Sequence, residues 1–230
     1  MEIVLLLITI IPPVLIVIIF VVSDKFREPN KEIILVFICG ILITIPAYFT
    51  NTFLYNLYLN YSFISKGLAE SFLSPAVVEE GLKFLVLYFI VYRLHEFNEP
   101  TDAIVYGVCA SLGFAAMENI YYVSNASTLD VNPIRMLIER SIYPLAAHGI
   151  FGVIMGYFFM KYAFVHKLNN LFLSFLIPYL LHGFYNYFIS IEYFQISLAL
   201  VIISWFIGIK LFLKLKQKQK LKGREYEKKI

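Results

Sequence analysis

The stretch IVLLLITIIPPVLIVIIFVV, residues 3–22, is twenty residues long and contains no charged side chain. An α-helix needs about 20 predominantly apolar residues to cross the hydrocarbon core of a bilayer. The run lacks the positively charged start and the small-residue cleavage site of a signal peptide, so we interpret it as a retained membrane span. A chain that begins in this way is expected to fold in lipid.

The composition extends this interpretation to the whole chain. Of its 230 residues, 60% are hydrophobic and 15% are charged, and the mean hydropathy is +0.76. A soluble domain carries about 25% charged residues. Apolar runs recur along the chain and predict seven spans, at about 3–22, 33–57, 75–92, 102–123, 139–161, 170–190 and 194–213. We therefore predict an all-α, polytopic transmembrane helix bundle located in the cell membrane.

The loops between these runs are too short to hold a further domain. The sequence thus predicts a single membrane-embedded domain over residues 1–213, followed by a basic cytoplasmic tail over 214–230. With the N-terminus outside and the C-terminus inside, fifteen of the nineteen Lys and Arg residues fall on the cytoplasmic side, as the positive-inside rule requires. We expect the tail to lie against anionic lipid, and we expect no nucleic-acid partner.

Several polar residues fall inside the predicted spans, although a charge at the bilayer centre costs about 2.5–3.5 kcal/mol. With the predicted orientation, they all lie in the outer half of the membrane. They come from four different spans: Glu79, Glu80, Lys83, Glu118, Asn119, His148, His182 and Asn186. Arg140 lies near a span end, where a long side chain is expected to reach the interface.

The spacing of these residues places them on helix faces that can meet. Glu79 and Lys83 are four residues apart, so they share a face. His148 shares its face with Gly152 and Gly156, and such small residues let a neighbouring helix approach closely. We therefore predict one polar cluster that is sealed from lipid.

Two classes of function use such a cluster. In a hydrolase, a carboxylate activates water and polar donors stabilise the oxyanion. In a transporter, the same groups bind or relay protons, ions or a solute. The spans show no inverted symmetry of the kind that many transporters have. Composition and spacing alone leave both classes open.

Four motifs occur in order on successive spans: EEGLK (79–83), FAAMEN (114–119), HGIFGVIMG (148–156) and HGFYN (182–186). This order resembles the PrsW family of intramembrane proteases, which are distant relatives of the CPBP/Abi proteins and the CAAX prenyl endopeptidases. The resemblance covers about residues 74–190. Some proteins of the wider superfamily serve as immunity or scaffold proteins, so a non-proteolytic role is a further alternative.

The resemblance implies a site-1-type cut, on the extracytoplasmic side, in a single-span membrane protein such as an anti-sigma factor. It makes Glu79 and Glu80 the leading catalytic candidates. The next candidates are Glu118, His148 and His182, and the supporting residues are Lys83, Asn119 and Asn186. One of the adjacent glutamates would act as general base while Lys83 pairs with the other, and Asn186 would fix the ring of His182. Because Lys83 stands where the prenyl endopeptidases have Arg, prenyl-substrate recognition is not expected.

The sequence also bears on metal dependence. Two histidines and three glutamates could form a zinc site of the His/Glu type. The sequence contains no His-Glu-x-x-His motif, so metal-free glutamate catalysis is favoured and no cofactor is expected. If zinc were present, its expected ligands are Glu80, Glu118, His148 and His182.

Overall fold

The computed structural model describes residues 2–58 and 66–227, and the side chains of 4–58 and 66–219. Within these ranges the chain is helical and forms no strand, which confirms the all-α prediction. The helices are α1 (Glu2–Ser23), α2 (Asn30–Leu42), α3 (Thr44–Tyr58), α4 (Lys66–Leu68), a π-helix (Ala69–Ala76), α5 (Val77–Phe89), α6 (Asp102–Ser124), α7 (Pro133–Val165), α8 (Asn169–Ser190) and α9 (Phe194–Glu227). Short 3-10 turns occupy Val91–Arg93 and Ala126–Leu129.

Six helical stretches of the described residues are long and apolar enough to cross a membrane. They are Val4–Ser23, Asn30–Tyr58, Asp102–Ser124, Pro133–Val165, Asn169–Ser190 and Phe194–Gln219. The predicted span at 75–92 differs from these six. It belongs to a helical segment that runs from Lys66 to Phe89, includes the π-helix and carries three charged residues in α5. The bundle therefore has seven helical segments, and the third of them contains the π-helix.

The second predicted span, 33–57, is interrupted. Helix α2 ends at Leu42 and α3 begins at Thr44. Pro46 has no N–H to donate to the carbonyl of Leu42, so the regular hydrogen-bond pattern cannot continue through this point. The predicted span is present as Asn30–Tyr58, but the sequence did not predict its break at Ile43, which produces a separate helix, α3, beside the third segment.

Helix α6 is the centre of the bundle. Every residue from 101 to 116 is buried, because α1, α2 and α7 surround this helix. Close packing depends on glycine: a Cβ atom on Gly107 would lie 2.5 Å from the carbonyl oxygen of Gly152 on α7. A Cβ atom on Gly40 or Gly113 would likewise clash with backbone across the α2–α6 contact. The small-residue faces predicted from the sequence are therefore the faces along which the helices meet.

The segments that the charge pattern assigns to the cytoplasm lie together at one end of the bundle. Gln219 on α9 donates hydrogen bonds to Asp24 (2.8 Å) and Glu99 (2.7 Å), which follow α1 and precede α6. Tyr106 donates to Glu28 nearby. This arrangement agrees with seven alternating segments. Which end faces the cytoplasm stays a prediction, and so does the cytoplasmic location of the tail over 214–230. Helix α9 continues through this tail to Glu227, and the side chains from residue 220 onward lie outside the described part of the chain.

Candidate active site

Helices α5 to α8 bring the predicted polar residues to one region. Helix α5 contributes Glu79, Glu80 and Lys83, and α6 contributes Glu118 and Asn119. Helix α7 contributes His148, and α8 contributes His182 and Asn186. Seven of these eight residues either contact one another directly or line the same cavity. Asn119 joins this network through Arg140.

Proline shapes three of the four helices beside the site. A proline inside a helix leaves the carbonyl four residues earlier without its usual donor, so the helix can widen or bend there. In the third segment the result is the π-helix Ala69–Ala76, which contains Pro75. The spacing is the same in each helix: Pro75 precedes Glu79, Pro144 precedes His148 and Pro178 precedes His182 by four residues.

The deepest part of the site is an ion-pair network around Glu80. Glu80 and Lys83 are both fully buried, and the Lys83 Nζ atom lies 2.8 Å from Glu80 Oε1. The same carboxylate oxygen lies 2.9 Å from His182 Nδ1, and Lys83 Nζ lies 2.9 Å from His148 Nδ1. Glu80 and Lys83 thus hold the two histidine rings. Additional partners of this kind offset part of the cost of burying two charges, although Glu80 Oε2 has no hydrogen-bond partner among the described residues.

A second ion-pair network lies closer to the predicted outer surface. Glu118 Oε2 lies 2.9 Å from His148 Nε2 and 2.8 Å from a terminal nitrogen of Arg140. The Arg140 Nε atom also donates to Asn119 Oδ1 at 2.9 Å. His148 therefore connects the two networks, since its Nδ1 faces Lys83 and its Nε2 faces Glu118. Ser111 adds a hydrogen bond to the carbonyl of His148 (2.6 Å), which fixes the backbone of α7 against α6.

Glu79 has different surroundings from Glu80. Both residues have a buried Oε2 atom without a hydrogen-bond partner among the described residues, but Oε1 of Glu80 is paired with Lys83 and His182, whereas Glu79 lines a cavity. One ligand atom from each of Glu79, His148 and His182 lies within 4.8 Å of the other two, and all three residues are buried. An unpaired buried carboxylate is unfavourable unless it has a function, because an unsatisfied polar group loses its hydration without replacement.

A cavity of about 580 Å³ opens above this cluster. Its wall contains five of the predicted residues: Glu79, Glu118, His148, His182 and Asn186. Glu80, Lys83 and Asn119 do not line it. Tyrosines and polar side chains from α3, α6 and α8 complete the wall: Asn51, Thr52, Tyr55, Tyr58, Tyr122 and Tyr185. A cavity of this size can accept several residues of an extended peptide and the water needed to hydrolyse one bond.

A second, apolar cavity of about 430 Å³ adjoins the first between α3 and α6. Glu79 and Glu118 line both cavities. The other walls of the second cavity are largely apolar, from α3 and α6: Ile45, Ala47, Tyr48, Phe49, Phe114, Met117 and Tyr121. Tyr48 and Tyr121 face each other across it, with ring centroids 6.0 Å apart. The polar site is therefore accessible from a membrane-exposed, apolar side as well as from its polar end.

Comparison with known proteins agrees with this geometry. The model of a family described as PrsW family intramembrane metalloprotease matches residues 28–211, which include all four helices of the site. The chain belongs to the PrsW family. It is a multi-pass membrane endopeptidase, and the transporter and non-proteolytic alternatives no longer apply.

Curated PrsW relatives cover most of the chain. Protease PrsW of Geobacillus kaustophilus is 38% identical over 176 residues, which are 73% of this chain and 72% of that protein. Protease PrsW of Oceanobacillus iheyensis is 36% identical over 192 residues, covering 81% and 84%. Protease PrsW of Bacillus subtilis is 30% identical over 197 residues, covering 83% and 86%. No solved structure matches the chain.

Sequence reasoning missed Arg140 as part of the PrsW site. The sequence predicted a side chain that reaches the interface, but Arg140 turns inward to Glu118 and Asn119 and its side chain is 13% exposed. A signal was present in the sequence: Arg140, Pro144 and His148 are spaced at four-residue intervals and so share one face of α7. Asn186 differs from its predicted role, since the His182 ring is held by Glu80 and Asn186 instead lines the cavity.

The residues present fit the metal that the PrsW family description names. Two imidazoles and one carboxylate form a common ligand set of catalytic zinc, with an open position for water. The Glu79 Oε2 atom has no hydrogen-bond partner among the described residues, and Glu80 Oε1 pairs with Nδ1 of His182, as carboxylates often do behind zinc-bound histidines. His148 would have to exchange its contact with Glu118 or Lys83 for the metal. The set gathered by the geometry contains Glu79, whereas the sequence-based set contained Glu80 and Glu118.

Proposed function

We propose that this protease cuts a single-span membrane protein at the extracytoplasmic boundary of the membrane, with Glu79, His148 and His182 as its hydrolytic centre. The observation that carries this proposal is the position of the Glu79 carboxylate. It lies within 4.8 Å of a ring nitrogen of each histidine and lines the polar cavity. A carboxylate in this position can take part in activating water for attack on a peptide bond.

Glu79, His148 and His182 would hold a divalent ion such as zinc. When bound there, a metal of this kind supplies a polarised water and a positive charge for the developing oxyanion. The rings of His148 and His182 would donate lone pairs to the ion, and Glu79 would contribute the negative charge that a cation requires. The buried Glu80–Lys83 pair keeps His182 and His148 in position.

Glu118 is the group we assign to proton transfer. It lines both cavities and faces His148, so it can accept a proton from the attacking water and return it to the leaving amine. Arg140 lies against Glu118 and compensates its charge inside the bundle. Tyr122 and Tyr185 line the polar cavity and can donate hydrogen bonds to the peptide.

The apolar cavity supports a membrane-anchored substrate. A single-span protein approaches from the lipid, and the opening between α3 and α6 leads from the apolar surface to Glu79 and Glu118. The segment that follows the substrate's span would then extend into the polar cavity. An anti-sigma factor is a substrate of this class, in line with the family resemblance. The predicted outer position of the site supports a cut on the extracytoplasmic side.

A metal-free variant of the mechanism is favoured by one contact pattern. Both ring nitrogens of His148 already face other side chains, Lys83 and Glu118. In that case Glu79 itself is the general base, His182 binds the oxyanion, and His148 keeps Glu118 and Lys83 in place. Both mechanisms need Glu79 and His182, and they differ in the group that accepts the proton of water and in their response to metal removal.

The proposed cut is tested with the purified full-length chain in vesicles that contain a tagged single-span substrate. We expect two products whose new ends, read by mass spectrometry, lie within the residues next to the extracytoplasmic end of the substrate's span. Cleavage on the cytoplasmic side, or of soluble peptides only, would overturn the proposal.

Metal dependence is tested on the same assay with a membrane-permeant chelator. Loss of cleavage that added zinc restores would support a metal held by Glu79, His148 and His182. Full activity after the protein has been shown by elemental analysis to contain no metal would instead establish the metal-free mechanism.

A further inference from the structure

A third cavity, of about 530 Å³, lies at the opposite end of the bundle from the active site. Four lysines line it: Lys161 at the end of α7, Lys167 after α7, and Lys214 and Lys218 on α9. None of the four forms an ion pair with a carboxylate in the described part of the chain. Among the described residues Glu99 is the one acidic residue of the wall, and it accepts a hydrogen bond from Gln219. The cavity therefore has a marked excess of positive charge.

Local structure holds these lysines together. Lys214 and Lys218 are four residues apart on α9, and like charges at this spacing repel each other. His166 ends α7 in the left-handed conformation (φ 54°), and the Lys167 amide then bonds to the carbonyl of Lys161 at 3.3 Å. The turn thus places Lys167 close to Lys161 at the end of α7. Such a concentration of cations is stabilised when an anion occupies the space between them.

The remaining walls indicate what kind of anion fits. Thr101 and Gln219 belong to this wall, but the Thr101 hydroxyl and the Gln219 Oε1 atom are both enclosed by protein, so the lysines are the groups that contact an anion in this space. Apolar side chains close the rest of the wall, namely Phe26, Met160, Phe164, Val165 and Leu215. A soluble phosphate would leave this apolar surface unused.

We propose that this cavity binds the phosphate diester headgroup of an anionic phospholipid, with its glycerol and upper acyl chains against the apolar wall. The position fits this ligand, because the cavity lies where α7 ends and α9 continues beyond the apolar part of its span. The predicted cytoplasmic location is also the side on which basic residues meet anionic lipid headgroups. The proposal is independent of the catalytic assignment, since no residue of the cavity belongs to the active site.

The proposal is tested by native mass spectrometry of the full-length chain in detergent, titrated with phosphatidylglycerol or with phosphatidylcholine of the same chains. We expect one phosphatidylglycerol molecule to bind at concentrations at which phosphatidylcholine does not. The double variant Lys161→Gln/Lys214→Gln should weaken this binding about thirtyfold, because each lysine near an anionic headgroup contributes about a fivefold factor. A thermal melt checks that the variant is folded.

The matched control is Lys25→Gln/Lys31→Gln, which removes two exposed charges from the same end of the bundle but outside the cavity. Its phosphatidylglycerol binding should stay within about twofold of the wild-type value. Equal weakening in both double variants, or equal binding of the two lipids, would overturn the proposal. Free glycerol phosphate that binds as tightly as the lipid would assign the cavity to a soluble phosphate ester and would also overturn it.

Discussion

At the scale of single residues, Glu79 and Glu80 are adjacent on α5 but have opposite surroundings. Successive helical residues project about 100° apart. Glu80 therefore points into the bundle, towards Lys83 and His182, while Glu79 lines the cavities. This difference separates a positioning role for Glu80 from direct participation by Glu79.

The Lys83→Met variant tests the positioning network. Removing the lysine leaves Glu80 as a buried carboxylate without its cation, so we expect the free energy of unfolding to fall by roughly 3–5 kcal/mol. The double variant Glu80→Gln/Lys83→Met should recover much of this loss, because it removes both charges. Denaturation in mild detergent measures both effects. A single variant as stable as the wild type would contradict the buried pair.

Arg140→Lys tests the residue that the sequence analysis misplaced. Lysine keeps the charge beside Glu118 but cannot also donate to Asn119 from a planar guanidinium. We expect kcat for substrate cleavage to fall about tenfold with little change in KM. Arg135→Lys is the control, since Arg135 forms only an exposed pair with Glu139. Equal rates for the two variants would show that Arg140 has no part in the site.

At the scale of elements, the π-helix before α5 sets the directions in which Glu79 and Glu80 project. Single π-helical turns inside α-helices occur often at functional sites. Here Ser74 in the π-helix hydrogen-bonds to Asn51 on α3 at 3.3 Å, which ties the third segment to the helix that borders both cavities. The rotation of α5, and so the orientation of Glu79, depends on this irregular turn.

The Pro75→Ala variant tests this dependence. Alanine favours a regular α-helix by about 3 kcal/mol relative to proline, so the variant should be at least as stable as the wild type. We nevertheless expect cleavage to fall by about tenfold or more, because a regular helix changes the direction of Glu79. Pro12→Ala in the apolar α1 is the control. Unchanged cleavage together with unchanged stability would contradict a role for the π-helix.

The loop between α1 and α2 provides a pH-dependent prediction. Burial raises the pKa of Asp24 above its ordinary value, although a hydrogen bond from Gln219 and the charge of Lys216 oppose the shift. A carboxyl with a raised folded-state pKa stabilises the fold while it is protonated, and this contribution is lost as the pH rises through the folded-state pKa. At neutral pH the charged form is therefore unfavourable.

Asp24→Asn should accordingly raise the thermal midpoint at neutral pH and change it little near about pH 2, which is below the Asp pKa of both the unfolded and the folded state. Asp130→Asn, at an exposed turn, serves as the control. A lower midpoint for Asp24→Asn at neutral pH would mean that the fold needs the Asp24 charge.

At the scale of the whole molecule, the apolar runs and charge pattern were enough to predict an all-α bundle and the gathering of its polar residues. The residues that mattered, such as Glu79, His148 and His182, were recognisable because charged and polar groups inside a span are costly. The break at Ile43, the π-helix and the inward turn of Arg140 were not predicted. Each depends on how one helix is rotated against its neighbours, which periodicity alone does not determine.

Helix rotation, which periodicity does not determine, also explains why the predicted zinc ligands differ from the residues that the structure brings together. Sequence spacing could not choose between Glu79 and Glu80 as the group facing the histidines, because the choice follows from the rotation of α5. The structure places Glu79 with His148 and His182, and places Glu80 behind them with Lys83.

The most informative measurement is single-turnover cleavage of a tagged single-span substrate by Glu79→Gln beside the wild type. Glu139→Gln is the control, since Glu139 is a carboxylate on α7 that pairs with an exposed arginine. We expect cleavage by Glu79→Gln to fall by a factor of about a hundred or more while its thermal stability is retained, and Glu139→Gln to match the wild type. A folded Glu79→Gln variant that cleaves at the wild-type rate would contradict the assignment of Glu79 to the hydrolytic centre.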